Sequence, residues 1–158
     1  MQYNRVILAL AFCGAFAAGI VVSPHAHDVI ETAQAQASPP PLAPAMIDLM
    51  ALKHADLPTT ANPEMNNRGL VSTANGTVAV QSGNVAKHMH PKTTEIQYII
   101  EGSGTMWLGD DRKDFKPGTL IIIPNGTAHA GTTVVSGPVK ALAIKIPPQP
   151  SDDTVFLK

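Results

Sequence analysis

Three of the six histidines, His88, His90 and His129, fall in a stretch of short apolar runs, and Glu95 follows His90 by five positions. Side chains alternate faces along a strand, so His88 and His90 project to the same side. An unbroken strand would turn Glu95 to the opposite side. Pro91-Lys-Thr-Thr94 interrupts the run and lets the chain reverse. Glu95, Gln97 and Ile99 then share one face, and Glu95 can meet both imidazoles. The tight turn Pro124-Asn-Gly-Thr-Ala-His129 supplies a third imidazole from a distant hairpin. Imidazole and carboxylate donors at about 2.0–2.2 Å suit one divalent zinc, iron, manganese, nickel or copper ion. Three neutral imidazoles and one carboxylate leave such a site with a formal charge near +1. That favours an anionic or chelating oxygen ligand in the open positions. His-x-His alone is a weak signal: His25-Ala-His27 repeats it, and His54 reads as a surface residue.

The elements that must position these groups are short and β-rich. Candidate strands are 77–81, 86–90, 95–100, 104–108, 119–123, 129–135 and 139–146. Between them lie Asn75-Gly76, Ser82-Gly83-Asn84, Gly109-Asp-Asp, Pro117-Gly118 and Asn125-Gly126. Strands at such intervals argue for a sandwich or barrel. Both Asn-Gly pairs precede Thr and so form glycosylation sequons, but Asn-Gly is foremost a hairpin signal. Residues 47–56 can form one short helix, ended by Pro58.

Strand parity sorts the remaining side chains. Gln97 points toward the metal donors, as a contact for substrate or for a ligand. Tyr98 points away, into packing or a dimer contact. Glu101 shares the Gln97 face near the strand end, in solvent. Of Met106 and Trp107 one faces in and one out. The run Leu120–Ile123 reads as buried on both sides, by sheet packing plus a subunit interface. Lys145 reads as an exposed edge.

The first 37 residues read as a signal peptide. Arg5 precedes an uncharged run from Val6 to Val22, and Ala33-Gln-Ala-Gln-Ala37 offers a cleavage site. The expected product is periplasmic or secreted, with no stable membrane insertion after cleavage; the alternative is an uncleaved anchor. Cleavage removes Cys13, the sole cysteine, as suits an oxidising compartment. A Pro-rich linker follows at 38–46, then a domain at 47–147 and a C-terminal tail at 148–158. The 11 Lys+Arg and 12 Asp+Glu are balanced and show no basic run. That speaks against nucleic acid as a partner.

Gly83-Asn-Val-Ala-Lys-His88-Met-His90-Pro-Lys-Thr-Thr-Glu95-Ile-Gln-Tyr-Ile-Ile-Glu-Gly102 resembles the first motif of the cupin superfamily. Gly118-Thr-Leu-Ile-Ile-Ile-Pro124-Asn-Gly126-Thr-Ala-His129 resembles the second. The resemblance spans about residues 66–147. It implies an all-β antiparallel jelly-roll barrel and one divalent transition metal held by His88, His90, Glu95 and His129. A homodimer is common in the family. Two departures stand out: the opening Gly lies one residue nearer His88 than is common, and Thr133 stands where the second motif often ends in Asn. The expected function is a metal-dependent oxidoreductase of dioxygenase type acting on a small molecule. The alternatives are a non-redox isomerase or lyase, and a module that binds a metabolite or metal without turnover. The sequence offers no unmistakable general base, which favours redox chemistry over proton abstraction.

Overall fold

The computed structural model describes residues 41–158. The expected signal peptide, 1–37, and the first residues of the expected linker lie outside that range. Eight strands run in chain order: β1 (Met65–Ser72), β2 (Thr77–Gly83), β3 (His88–Met89), β4 (Thr94–Leu108), β5 (Asp111–Phe115), β6 (Leu120–Ile123), β7 (His129–Ile146) and β8 (Val155–Phe156). All pairings are antiparallel, and the strands form one continuous sheet in which β1-β2-β7-β3-β8 are successive neighbours and β4 bridges β5, β6 and β7. This is the expected all-β jelly-roll arrangement.

The longest strands depart from the expected breaks. Segments 95–100 and 104–108 are one strand, β4, and 129–135 and 139–146 are one strand, β7. Their pairing shifts register between Ile99 and Glu101, between Glu101 and Ser103, and again near Thr105. Bulges of this kind bend a strand without ending its hydrogen bonding, so Gly102 and Pro138 mark corners rather than termini. β1 and β5 carried no alternating apolar signal. In β5, Asp111-Arg-Lys-Asp are exposed and only Phe115 is buried, as in a charged strand that blunts a sheet edge.

Residues 47–56 do not form the expected helix. A turn covers 49–51 and a single 3-10 turn covers His54–Asp56. The Asp48 carboxylate accepts the amides of Met50 and Ala51 at 2.9 and 3.2 Å, a local bond that competes with helix formation. This segment is tied to the sheet instead. Lys140 Nζ donates to the Leu52 carbonyl at 2.8 Å and to Glu101 at 2.6 Å. His54 is therefore no free surface residue: its Nδ1 lies 3.0 Å from Ser82 Oγ, and its carbonyl accepts from Asn66 at 2.9 Å. Glu101, expected in solvent, is the ion partner of the buried Lys140.

The core inside the roll is Ile99, Met106, Phe115, Ile121, Ile123 and Ala141, with Leu108 and Val139 packed against it. Each large side chain removed from water there contributes roughly 1.5–3 kcal/mol. Met106 faces in. Trp107 faces out, with Lys87 Nζ 3.9 Å from its ring centre. The run Leu120–Ile123 alternates: Ile121 and Ile123 are buried, whereas Leu120 and Ile122 are exposed. Within one chain only its inner face is covered, because β6 lies on one wall of the roll with no layer outside it.

Gly83 closes β2 where the chain must pass the β1 entrance. Its φ is +132°, and a Cβ there would collide with the Glu64 carbonyl. Only glycine meets both conditions.

Candidate metal centre

Register explains why the donors converge. β3 pairs with the start of β7 so that His88 stands directly opposite His129. Their ring centres are 4.3 Å apart, and the His90 ring is 4.8 Å from His88 and 5.1 Å from His129. The donor nitrogens of the three histidines lie within 4.8 Å of one another, and all three residues are buried. Glu95 opens β4 on the same inner face. Its Oε2 is 3.2 Å from His90 Nε2 and 3.5 Å from His129 Nε2. The structure thus brings together all four side chains singled out in the sequence.

The hydrogen bonds around the rings decide which nitrogen faces the centre. His88 Nδ1 lies 2.8 Å from the Ala86 carbonyl, His90 Nδ1 2.7 Å from that of Asp153, and His129 Nδ1 3.0 Å from that of Thr127. A carbonyl oxygen only accepts, so the Nδ1 of His88 and of His129 carries the proton and Nε2 presents a lone pair. His90 Nδ1 also lies 2.9 Å from the Gln149 amide nitrogen, but that amide has Thr154 Oγ1 and the Asp153 carbonyl as acceptors, and the shorter carbonyl contact gives His90 the same tautomer. His90 Nε2 and His129 Nε2 are buried without a hydrogen-bond partner. Both face a carboxylate oxygen, so acceptor meets acceptor away from water. Such an arrangement calls for a proton or a cation between the groups. A divalent ion would satisfy all four at once, and the donor set fits a borderline transition metal. Carbonyls behind ligating imidazoles are the usual outer support of such sites.

Gln97 behaves as its parity required: its amide donates to Glu95 Oε1 at 2.9 Å. Tyr98 is on the outer surface. Lys145 is the clear correction. It was expected at an exposed edge, but it stands opposite Glu95 in the β4–β7 ladder and shares its face with Ala141 and Ala143. Its Nζ is 4.0 Å from Glu95 Oε2. Counting in twos from Ala141 would have found it; the neighbouring Leu142, Ile144 and Ile146 drew the reading to the wrong face.

The C-terminal residues also enter the site. β8 pairs with β3, placing Phe156 opposite His88 and Val155 opposite Met89. Asp153 offers its carbonyl to His90, and its carboxylate accepts the Lys92 amide at 2.8 Å. Burial pushes the Asp153 carboxyl up, but the Thr93 hydroxyl and the Lys92 amide hold it below its ordinary value. No sequence signal marked this segment.

Three of the four donors, His88, His90 and Glu95, line a cavity of about 620 Å³. Ile99, Met106, Phe115 and Val139 make its apolar wall, and Gln81, Asn84, Thr132 and Thr154 supply polar groups.

Charge in the site is pH-dependent. Burial lowers the His88 pKa from 6.5 to about 4, against the upward pull of the Ala86 carbonyl. Burial also pushes the Glu95 carboxyl up, but a proton shared with His129 and His90, together with the Lys145 ammonium and the Gln97 amide, brings it below the usual carboxylate range in the metal-free site. Between pH 6.5 and about 4 the unfolded chain protonates its residue-88 imidazole while the native one stays neutral. The unfolded state then binds more protons, so stability rises with pH across that window. Glu95 extends the loss at lower pH, because its depressed value stabilises the fold only while it is ionised. Urea midpoints of the metal-free protein should therefore fall steadily as pH drops through this window. A His88→Gln variant should fall less, and identical slopes for the two proteins would count against the assignment.

Residues 76–145 match the family model described as a cupin domain. An uncharacterized protein of Methanocaldococcus jannaschii is 37% identical over 71 residues, which are 45% of this chain and 57% of that protein. This chain thus spans little more than half of that relative. Among solved structures, the TT1209 protein of Thermus thermophilus aligns with a TM-score of 0.54 at 18% identity, covering 65% of this chain and 97% of that one. A Klebsiella pneumoniae protein with a double-stranded β-helix domain aligns with a TM-score of 0.52 at 18% identity, covering 65% and 91%. A Streptomyces PAC13 variant solved with uridine aligns at 0.54 and 14% identity, covering 67% and 88%. These structural likenesses concern the fold.

Proposed function

We propose that the protein, whose residues 76–145 match the family model of a cupin domain, holds one divalent transition metal through His88, His90, Glu95 and His129 and acts on a small organic molecule as an exported oxidoreductase of dioxygenase type. The observation that carries the metal reading is the pair of buried, partnerless Nε2 atoms of His90 and His129, facing a carboxylate with their Nδ1 sides turned to carbonyls. A bound ion would supply Lewis acidity and, for iron, manganese, nickel or copper, a redox centre. The chain's own residues do the rest. Gln97 holds the Glu95 carboxylate in place, while Ile99, Met106 and Phe115 keep water from one side of the cavity and accept the apolar part of a substrate.

Lys145 favours a second reading. It places an amine in the cavity wall beside Glu95, so proton transfer in a non-redox isomerase or lyase no longer lacks a titratable group. The test is metal analysis of the protein purified from its native compartment, followed by substrate screening with and without oxygen. Redox-active metal with oxygen uptake supports the dioxygenase. Turnover that persists without oxygen supports the second reading. Ligand-dependent stabilisation without product indicates a binding module, and absence of any metal removes the basis of both enzymes.

Export is proposed on the leader pattern at 1–37, and the N-terminal sequence of the secreted or periplasmic form tests it. We also propose a homodimer. Tyr98, Leu120, Ile122 and Ile146 place exposed apolar side chains on one outer wall, a face a second copy would cover. Sedimentation in solution decides this.

A further inference from the structure

One charged group of the inner cavity is not among the four donors. On β7, Ala141, Ala143 and Lys145 stand opposite Ile99, Gln97 and Glu95 of β4. Small Ala141 lines the cavity together with Gln97, and Lys145 reaches it from the same face. The lysine side chain is 17% exposed. Its ammonium donates to Gln149 Oε1, a neutral acceptor, and lies 4.0 Å from Glu95 Oε2. Holding an ammonium in a wall of this kind is costly unless an anion stands near.

Without metal, Glu95 is that anion. Once its charge is engaged by a dication, the ammonium and the metal centre form a doubly positive inner end. Of the other cavity-lining residues only Glu64 is an acid, and it is exposed at the rim. The inner end therefore lacks an anion that the protein itself does not provide.

We propose that Lys145 anchors a carboxylate group of the ligand beside the metal, so that the cavity selects small organic carboxylates whose apolar part lies against Ile99, Met106 and Phe115. The inference rests on the metal reading above and specifies its ligand class. A phosphate group is a poorer match: among the described residues no arginine lines the cavity, and phosphate sites favour arginine forks and helix N-termini.

The test uses the full chain loaded with cobalt(II), titrated with oxalate and separately with imidazole. Imidazole is a neutral metal ligand and so reports the metal alone. Calorimetry and the visible cobalt spectrum are the readouts. Lys145→Met should keep its cobalt and its imidazole affinity, while oxalate binding weakens about 10- to 100-fold, the loss of one charge-assisted hydrogen bond. Lys145→Arg should recover most of it, and Lys145→Gln should repeat the Met result should that variant fail to fold. Equal oxalate binding by all variants would overturn the anchor and leave the metal site standing. So would loss of cobalt from Lys145→Met, which would make the lysine a support for Glu95. Wild-type protein that holds cobalt but ignores oxalate refutes the anchor alone; wild-type protein that takes up no cobalt refutes the metal site and the anchor with it.

Discussion

Replacing His129 with alanine should abolish stoichiometric binding of a divalent transition metal and leave a folded β domain. The imidazole is 1% exposed, stands opposite His88 across the β3–β7 ladder, and turns a partnerless Nε2 toward Glu95. Its removal deletes a donor, so the loss of affinity should exceed the ~10- to 100-fold typical of losing only an outer support. The fold should survive because the apolar cluster around Ile99, Phe115 and Ile123 does not include this ring. Some destabilisation of the metal-free form is expected, on the order of 1–3 kcal/mol, because cutting a fully buried ring back to a methyl group leaves a void. Metal titration beside circular dichroism checks both halves. A folded variant that still holds one tightly bound ion would remove His129 from the donor set.

Ending the chain at Pro148 should weaken metal binding by at least ~10- to 100-fold, although all four donors remain. The truncation takes away the Asp153 carbonyl that holds His90 Nδ1, the Asp153 carboxylate that caps the Lys92 amide, and the β8 strand beside His88 and Met89. It also removes the bond from the Leu157 amide to the Lys87 carbonyl and the Phe156 ring 5.9 Å from His88. His90 then loses the carbonyl that orients it, and His88 loses its β8 neighbours while keeping the Ala86 carbonyl. Asp152→Ala serves as the contrast, since it removes only the exposed ion pair with Lys92, leaves the Asp153 carbonyl and β8 in place, and should change metal affinity far less. The two affinities, measured by competition with a chelator, report the difference. Equal affinity in the truncated and full chains would show that residues 149–158 do not shape the site.

The parts of the site that were legible before any coordinates share a physical origin. The period of two puts His88 with His90 and Glu95 with Gln97, and a Pro-containing turn between them reverses the chain. These are local facts of backbone geometry, and the all-β architecture follows from the same alternation punctuated by turn residues. Where the alternation was masked, the reading failed. Charges hid β5, bulges at Gly102 and near Pro138 were taken for strand ends, and the Asp48 side chain diverted residues 47–56 from a helix.

The sequence by itself thus determined the donor types, their order and the faces they occupy, because those depend on neighbours a few residues away. Tertiary structure alone decided the rest. Asp153 reaches His90 across 63 positions. Lys145 meets Glu95 through a ladder register that no local pattern encodes. Only the His90 tautomer depends on the closed roll, through the Asp153 carbonyl; those of His88 and His129 are set by carbonyls two residues upstream. Long-range pairing specifies these contacts, and its register emerges only when every strand has found its partner.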